Sequence, residues 1–248
     1  MNFRHFNRIL TPCSLLCSTA ILATPAKTRL ELHTHAGASV VLLTKINMKM
    51  AMGSKMMPLE IIAKDKLTVT KVSPNGDITQ VDKSLSQQIV MMGKEHTVPA
   101  NGGDQVTVLD PHFAVKSMSM SGPNSDIHDQ VRITDATDAW FPSFPVGVGS
   151  VWTHMLPSNP TLGSVKSKGV YKITGIQVVD HVPCYTIVMR FRELTGQHPI
   201  SSSGTIWVSK KSGDMVKFSS YFKNVPLPGT GLVNPHVTGV RVSGSLTK

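Results

Sequence analysis

Cysteine is scarce in this chain of 248 residues, and its placement limits how the fold can be held together. Only three cysteines are present, and two of them, Cys13 and Cys17, lie near the N-terminus. If that segment is cleaved, Cys184 has no partner for an intramolecular disulfide, so the fold must rely on its apolar core. Cys184 precedes an apolar-rich run at 185–191. This setting predicts a buried structural thiol rather than a nucleophile.

Charged and aromatic residues are also few, at 16% and 6% of the chain, against 40% apolar residues. Such a composition excludes a disordered chain, and the length fits one large β domain or two small ones. The formal net charge of +10 favours anionic partners such as lipid headgroups, acidic polysaccharide or nucleic acid. However, the basic residues are scattered, with no arginine-rich arm, zinc-finger spacing or RNP-like aromatic run. Nucleic acid is therefore not an expected partner.

Catalytic motifs are missing from the sequence as well. A nucleophile elbow needs a second glycine after the serine, and Gly149-Ser150-Val151-Trp152 lacks it. The sequence has no phosphate-cradling glycine loop. We therefore predict no catalytic residue and no cofactor. A hydrolase or metal-dependent enzyme acting on envelope material remains an alternative, because folding can bring distant histidines and acids together.

The first 26 residues have the pattern of a secretion signal. Arg4, His5 and Arg8 make the start positive, and an apolar stretch follows at 9–23. Small residues at 24–26 stand at the usual cleavage spacing, so the mature chain is expected to begin at Lys27. The sequence thus predicts a signal peptide over residues 1–26 and an exported protein that is periplasmic, envelope-associated or secreted.

Two other roles of this segment stay open. An uncleaved membrane anchor would need an apolar span of about 20 residues, and the stretch at 9–23 is shorter. Lipidation at Cys13 or Cys17 would need a small residue just before the cysteine, where Pro12 and Leu16 stand.

Strand patterns dominate the remaining chain. At 45–52, apolar and polar residues alternate with the period of two that predicts a half-buried strand. The turn Pro74-Asn75-Gly76-Asp77 predicts a hairpin between strands at 67–72 and 78–81, because Asn and Gly tolerate positive φ. Further strands are predicted at 170–179, 184–194, 205–209, 215–222 and 237–246.

Helical patterns are weak throughout the sequence. The best helix candidate is 83–92, where Leu85, Ile89 and Met92 would share a face, although 88–92 reads equally well as a strand. We therefore predict an all-β fold, or β with minor α. The expected architecture is a curved antiparallel sheet or half-barrel, with a β-sandwich as the alternative. Residues 27–248 are predicted to form a single β domain with a loop-rich joint around 121–150.

Several segments resemble a family of uncharacterised secreted β proteins. They are the strand start Phe144-Pro145-Val146-Gly147-Val148-Gly149-Ser150-Val151-Trp152, then Val170-Tyr171-Lys172-Ile173, Val182-Pro183-Cys184-Tyr185-Thr186-Ile187 and Ser203-Gly204-Thr205-Ile206-Trp207-Val208. The methionine-alternating strand and the Asn-Gly hairpin resemble the N-terminal half of such proteins. In outline the family is similar to the half-barrels of periplasmic lipoprotein carriers (Lol-type). The resemblance implies a concave sheet that holds acyl chains, although a shared fold does not fix a shared function.

The methionines are the most distinctive chemical feature of the sequence. The predicted apolar stripe has five members: Ile46, Met48, Met50, Met52 and Met57. Three interpretations stay open: plain core, an adaptable surface for a lipid-like ligand, and a Cu(I) site built from thioethers. The stripe alternates with lysine and asparagine, as a core-facing stripe does, which weighs against copper.

Three other groups are candidates for binding. His33 and His35 have a spacing that zinc and copper sites use, but no third ligand is near in sequence, so no metal is predicted. The acids at 126–138 lack the order of a calcium loop and are expected to lie in a solvated loop with Asx turns. Trp140, Trp152 and Trp207 are candidates for stacking on sugar rings, but Trp152 and Trp207 lie in strand-like segments, where core packing is the expected role.

Taken together, these features predict an extracytoplasmic, non-catalytic binding or envelope-associated protein. Its expected ligand is a lipid-like apolar group held on a concave sheet face by the five stripe residues, and an envelope protein is a further candidate partner. The alternatives are the enzyme described above and a structural partner-binding protein that exposes sheet edges.

Overall fold

The computed structural model describes residues 27–52, 55–98, 103–121, 127–226, 236–237 and 240–247. Within these ranges the chain forms fourteen strands and one helix. The N-terminal strands are β1 Ser39–Met52, β2 Lys55–Val72, β3 Ile78–Met91, β4 Lys94–Val98, β5 Gln105–Leu109 and β6 Val115–Met120. After helix α1, Ile127–Thr137, come β7 Val151–Leu156, β8 Ser167–Val179, β9 Val182–Glu193, β10 Ser201–Ser209, β11 Met215–Lys223, β12 Val225–Pro226, β13 His236–Val237 and β14 Val240–Thr247.

Twelve strands form one antiparallel sheet, and β12 and β13 form a small second one. The order in the large sheet is β6-β5-β3-β2-β1-β14-β11-β10-β9-β8-β7, with β4 also paired to β3. The last strand, β14, pairs with both β1 and β11, so it joins the N-terminal hairpins to the C-terminal meander in a single layer. The predicted fold class, antiparallel β with minor α, is confirmed. The sheet is not closed into a barrel, since β6 and β7 end its strand order.

The turn at 74–77 forms the predicted hairpin. Strands β2 and β3 pair up to Val72 and Ile78, and Gly76 in the connecting turn has a positive φ of 85°. Segment 83–92, the best helix candidate, is not helical, because its residues up to Met91 belong to β3. The single described helix instead lies in the stretch 121–150, which was expected to be loop-rich. No helix in the described ranges is long and apolar enough to cross a membrane.

Helix α1 packs against β6, β10 and β12. Strand β6 is one edge of the sheet and β10 is fourth from the other edge, so one helix contacts both only because the sheet bends around it. We call the sheet face turned toward α1 the inner face, and the opposite one the outer face. The inner face from β7 to β3 is defined by residues that follow one another across the paired strands. They are Trp152, Tyr171, Met189, Gly204, Ser220, Ile46, Ile61 and Ile89, with the backbone of β14 between Ser220 and Ile46.

The apolar core lies between α1, the segment after it and the inner face of the C-terminal half of the sheet. Tyr171, Ile187 and Ile206 are fully buried there, and Trp140 and Phe141 from the post-helix segment are buried against them. Apolar burial is the main favourable term in folding. The core therefore fixes the curvature of the sheet around the helix.

Candidate ligand-binding face

The C-terminal half of the inner face is filled by the protein's own aromatic side chains. The Trp140 ring centroid is 5.8 Å from that of Phe191, and the Trp152 and Tyr171 rings stack at 5.3 Å. The Trp152 indole Nε1–H donates to the Trp140 carbonyl at 2.8 Å. Both tryptophans are core residues, as expected for Trp152 from its strand-like segment. Nothing as large as a ligand can share this half of the face without displacing them.

The N-terminal half of the inner face is covered less completely. Leu42, Ile46, Leu59 and Ile61 pack against the edge of the core, yet each stays half-buried. On β3, Ile89 and Met91 continue this surface, paired with Ile61 and Leu59, and are also half-buried. We call Leu42, Ile46, Leu59, Ile61, Ile89 and Met91 the apolar surface. Half-exposed apolar side chains that continue a buried core are a typical setting for an apolar ligand.

The predicted stripe residues occupy different positions on this face. Met48 is 4% exposed and belongs to the core, whereas Ile46 is half-buried in the apolar surface. Met57 is half-buried on β2, where it pairs with Met50. The backbones of Met50 and Met52 belong to β1, and their side chains lie outside the described part of the structure. Whether the stripe binds a ligand stays a prediction.

Two carboxyl groups lie on the inner face beside Leu42, at one end of the apolar surface. Asp65 of β2 pairs with Leu42 of β1. Asp82 of β3 pairs with Leu67, which lies two residues after Asp65 on β2. Burial, reinforced by the neighbouring Asp65 carboxylate, raises the pKa of Asp82 to about 7. Burial also raises the pKa of Asp65, opposed by a hydrogen bond with Ser84. Asp82 Oδ1 is buried without a hydrogen-bond partner among the described residues. A buried carboxyl oxygen without a partner needs an explanation, and a bound polar ligand atom is one.

A second group of acids surrounds helix α1, where the sequence suggested a solvated loop. That expectation was wrong for Asp135, which is 3% exposed. The pKa of Asp135 is raised to about 7, mainly by burial. A hydrogen bond with Ser164 opposes this rise, and the Glu193 charge adds to it. Burial and the Asp135 charge raise the pKa of Asp138 to about 8. Asp135 is buried beside the core and Asp138 is half-buried close to it, so we assign both groups to structure.

The nearest approach to a catalytic arrangement is at the β5–β6 turn. The pKa of His154 is lowered, mainly by burial. The Asp110 charge opposes this shift, and His112 adds to it. The Asp110 Oδ1 atom already accepts the backbone N–H groups of His112 and Ala114, each at 2.8 Å. The carboxylate thus closes the turn. Within the described ranges, no three His, Cys, Asp or Glu side chains are grouped closely enough to hold a metal ion.

The remaining candidates lie away from the inner apolar surface. Cys184 is fully buried and donates its thiol to the Val182 carbonyl at 3.3 Å, in agreement with a structural role. The expectation of core packing was wrong for Trp207, which is half-buried on the outer face, where its Nε1–H donates to Gln177 Oε1 at 2.7 Å. His33 is tied by its backbone N–H to the Ser212 carbonyl at 2.7 Å.

Sequence reasoning missed the Asp65–Asp82 pair. The two acids lie 17 residues apart in sequence and meet only because β2 and β3 pair in this register. The alternation of β2 does contain a signal, since Asp65 stands at an inner position in phase with Leu59 and Ile61. A charged residue in the apolar phase of a strand indicates either a functional group or an irregularity. Here a register shift at Lys64/Asp65 lies beside it.

Comparisons with known proteins assign no family to the chain. No protein-family model matches it, and no curated protein matches it significantly. Among solved structures, it is similar to the hypothetical lipoprotein YmcC of Escherichia coli, at 12% identity and a TM-score of 0.31, over 87% of this chain and 89% of that one. A candidate exported protein of Bacteroides fragilis with a YmcC-like fold gives 10% identity and a TM-score of 0.31, over 87% and 97% of the two chains. A candidate lipoprotein of Parabacteroides distasonis has 9% sequence identity and a TM-score of 0.32, over 87% of this chain and 97% of that one. At these TM-scores the likeness carries no statement about ligand or location.

Proposed function

We propose that this is an extracytoplasmic, non-catalytic binding protein that holds a lipid-like amphiphile on the inner face of β1–β3. The acyl part lies on the apolar surface, and the polar group lies at the Asp65–Asp82 pair. The extracytoplasmic location is supported by the secretion-signal pattern of residues 1–26.

One observation carries the proposal: the inner face of β2 and β3 is apolar at one end and acidic at the other. Leu59 and Asp65 are six residues apart on one strand, a distance of about 20 Å at 3.3 Å per residue. That length accommodates a long acyl chain next to a headgroup. A β-sandwich would have covered this surface with a second sheet, but the second sheet in the described ranges consists of only β12 and β13.

The acidic end favours a headgroup with a positive charge or hydrogen-bond donors. The Asp65 carboxylate raises the pKa of Asp82 further because two neighbouring negative charges repel. An ammonium group placed between Asp65 and Asp82 would relieve that repulsion and would give the unpartnered Asp82 Oδ1 a hydrogen bond. Phosphatidylethanolamine combines such a group with two acyl chains, and it is the probe that we would use first.

Native mass spectrometry of the purified protein with phosphatidylethanolamine tests this directly. We expect one bound lipid per chain, lost in Ile61→Asn. The matched control is Ile62→Asn, the same change at the next residue of β2, which lies on the outer face and is also half-buried. Equal retention or equal loss of lipid in the two variants would contradict the proposal. Circular dichroism establishes that both variants are folded.

The assignment of the headgroup to the Asp65–Asp82 pair is tested separately, by comparing lipids that differ in headgroup. Asp82→Asn is expected to weaken phosphatidylethanolamine binding and to leave phosphatidylglycerol binding unchanged or stronger, because the removed charge attracts only the ammonium group. If the two lipids respond alike, the assignment of the polar end is wrong even when the apolar surface binds lipid.

A further inference from the structure

The outer face of β7–β11 carries basic side chains in rows that cross the strands. In one row, Met155 pairs with Lys168, Lys168 with Arg192, Arg192 with Ser201, and Ser201 with Lys223. All three cations of this row are exposed. Lys168 and Lys223 are three strand spacings apart, about 14 Å. Three positive charges are therefore held within the width of a few lipid headgroups.

Three more exposed cations lie on the same face: Lys172, Arg190 and Lys217. Arg190 and Arg192 stand two residues apart on β9, so the rows they belong to are about 7 Å apart. The outer positions of β7–β11, all of them described, carry no Asp or Glu. None of the six cations forms an ion pair with another described residue.

This arrangement costs the folded protein stability. Lys168 and Arg192 are directly opposite each other on neighbouring strands, and like charges in that relation are destabilising. The acids that would balance them lie on the other side of the sheet, where Glu193 is buried against Arg132 of the helix. An external anionic partner would relieve this repulsion.

Exposed apolar side chains stand among the cations. Met155 pairs with Lys168, and both Val151 and Val188 pair with Lys172; they are 48%, 57% and 40% exposed. Tyr221 is 39% exposed two residues before Lys223. Cations beside exposed aliphatic and aromatic side chains are typical of surfaces that lie in the headgroup region of a bilayer.

We propose that the outer face of β7–β11 docks the protein onto an anionic phospholipid bilayer. The six cations contact the headgroup phosphates, and Val151, Met155, Val188 and Tyr221 reach below them. This surface lies on the opposite side of the sheet from the inner apolar surface, so the proposal does not depend on the amphiphile site.

A bilayer fits this face better than a linear polyanion. The charges spread in two dimensions, across the sheet from β8 to β11 and along each of the three strands that carry them, whereas a polysaccharide or nucleic acid would follow a single track. The exposed aliphatic side chains, Val151, Met155 and Val188, would also bury less apolar area against a polysaccharide chain than in a bilayer. A bilayer presents both a field of negative charge and an apolar layer just beneath it.

Vesicle co-sedimentation tests the proposal with the purified protein, its N-terminus defined by mass spectrometry. Vesicles of phosphatidylcholine are compared with vesicles that contain phosphatidylglycerol. The test variant is Arg190→Glu/Arg192→Glu. Its control, Lys210→Glu/Lys211→Glu, makes the same change in net charge at the hairpin turn after β10. All variants share one N-terminus, so any contribution of that segment cancels.

We expect binding only to the phosphatidylglycerol vesicles, weakening with salt as screening requires. Each basic residue near an anionic surface contributes about fivefold in affinity, so the Arg190/Arg192 variant should bind at least roughly 20-fold more weakly. The control should bind within a few-fold of the unchanged protein.

Equal weakening in both variants, or no binding to anionic vesicles, would overturn the proposal. Tight binding to a soluble acidic polysaccharide without vesicle binding would assign the face to a polyanion instead. Lipid binding by the inner face in the Ile61→Asn test would be unaffected by either result.

Discussion

Arg132 of helix α1 and Glu193 of strand β9 form a bidentate ion pair inside the protein. Arg132 Nε donates to Glu193 Oε1 and Arg132 Nη2 donates to Oε2, each at 2.8 Å. The side chains are 17% and 2% exposed. The backbone N–H of Ile200 donates to the same carboxylate at 2.6 Å. This pair ties the helix to the inner face of the sheet.

Breaking this pair should be strongly destabilising. In Arg132→Ala the Glu193 carboxylate stays buried without its cation, which typically costs about 3–5 kcal/mol. Urea unfolding gives the change in the free energy of unfolding. The control is Arg190→Ala on the outer face of the same strand, where removal of an exposed side chain should change stability by no more than about 0.5 kcal/mol. Similar losses in the two variants would show that the pair does not hold the helix.

Stability should fall as the pH rises from about 4 to about 8. Burial raises the pKa of Asp135 to about 7 and, with the Asp135 charge added, that of Asp138 to about 8. The folded protein therefore keeps protons that the unfolded chain releases near pH 4, and it loses this advantage as these groups ionise. Asp82 acts in the same direction.

Melting temperatures at pH 5 and pH 8 check this dependence. The unchanged protein should melt lower at pH 8, and the gap should narrow in Asp135→Asn/Asp138→Asn, whose amides do not ionise. Asp180→Asn, at an exposed turn, should keep the full gap. A higher melting temperature at pH 8 than at pH 5 would have the wrong sign for this explanation.

Neighbouring residues of β9 should respond very differently to truncation. Ile187 is fully buried in the core, and Val188 is 40% exposed on the outer face. Ile187→Ala should cost about 2–5 kcal/mol, because it removes buried apolar area and leaves a cavity. Val188→Ala should cost much less. Guanidinium unfolding of both variants measures the difference, and equal losses would mean that β9 does not present these faces as described.

Two glycines of β8 provide another matched comparison. A Cβ added at Gly169 would lie 2.6 Å from Tyr171 Oη, whereas one at Gly175 would meet nothing within 4 Å. The Tyr171 ring is fully buried and its hydroxyl donates to the Asp138 carbonyl at 3.3 Å, so it has little room to move. Gly169→Ala should therefore destabilise by about 1–3 kcal/mol. Gly175→Ala should be near neutral by thermal melting; a larger effect at Gly175 than at Gly169 would contradict the packing described.

The strands could be predicted well from sequence because their signals are local. Period-two alternation located β1 and most of β8 to β11, and the Asn75-Gly76 turn located the β2–β3 hairpin. The helix was missed for a local reason as well. Its sequence contains two threonines, Thr134 and Thr137, whose hydroxyls bond back to the Gln130 and Ile133 carbonyls at 3.0 and 2.7 Å. Such residues are poor helix formers, and packing against the sheet holds α1 in place.

The candidate site was predicted only in part. The sequence pointed to one face of β1, but it did not separate Met48, which is core, from Ile46, which is half-buried. Met48 and Ile46 differ because Met48 belongs to the same buried core as Trp140 and Phe141, whereas Ile46 only packs against that core. The Asp65–Asp82 pair depends in turn on a register shift within the β2–β3 pairing.

The sequence by itself determined the secondary structure type, the main hairpins and the buried setting of Cys184, because alternation and turn geometry act over a few residues. Only the tertiary structure decided which inner-face residues are covered, which carboxyl groups meet, and that six basic residues from β8, β9 and β11 share one outer face. Strand order and register bring together residues that are distant in sequence, and no local pattern encodes that pairing.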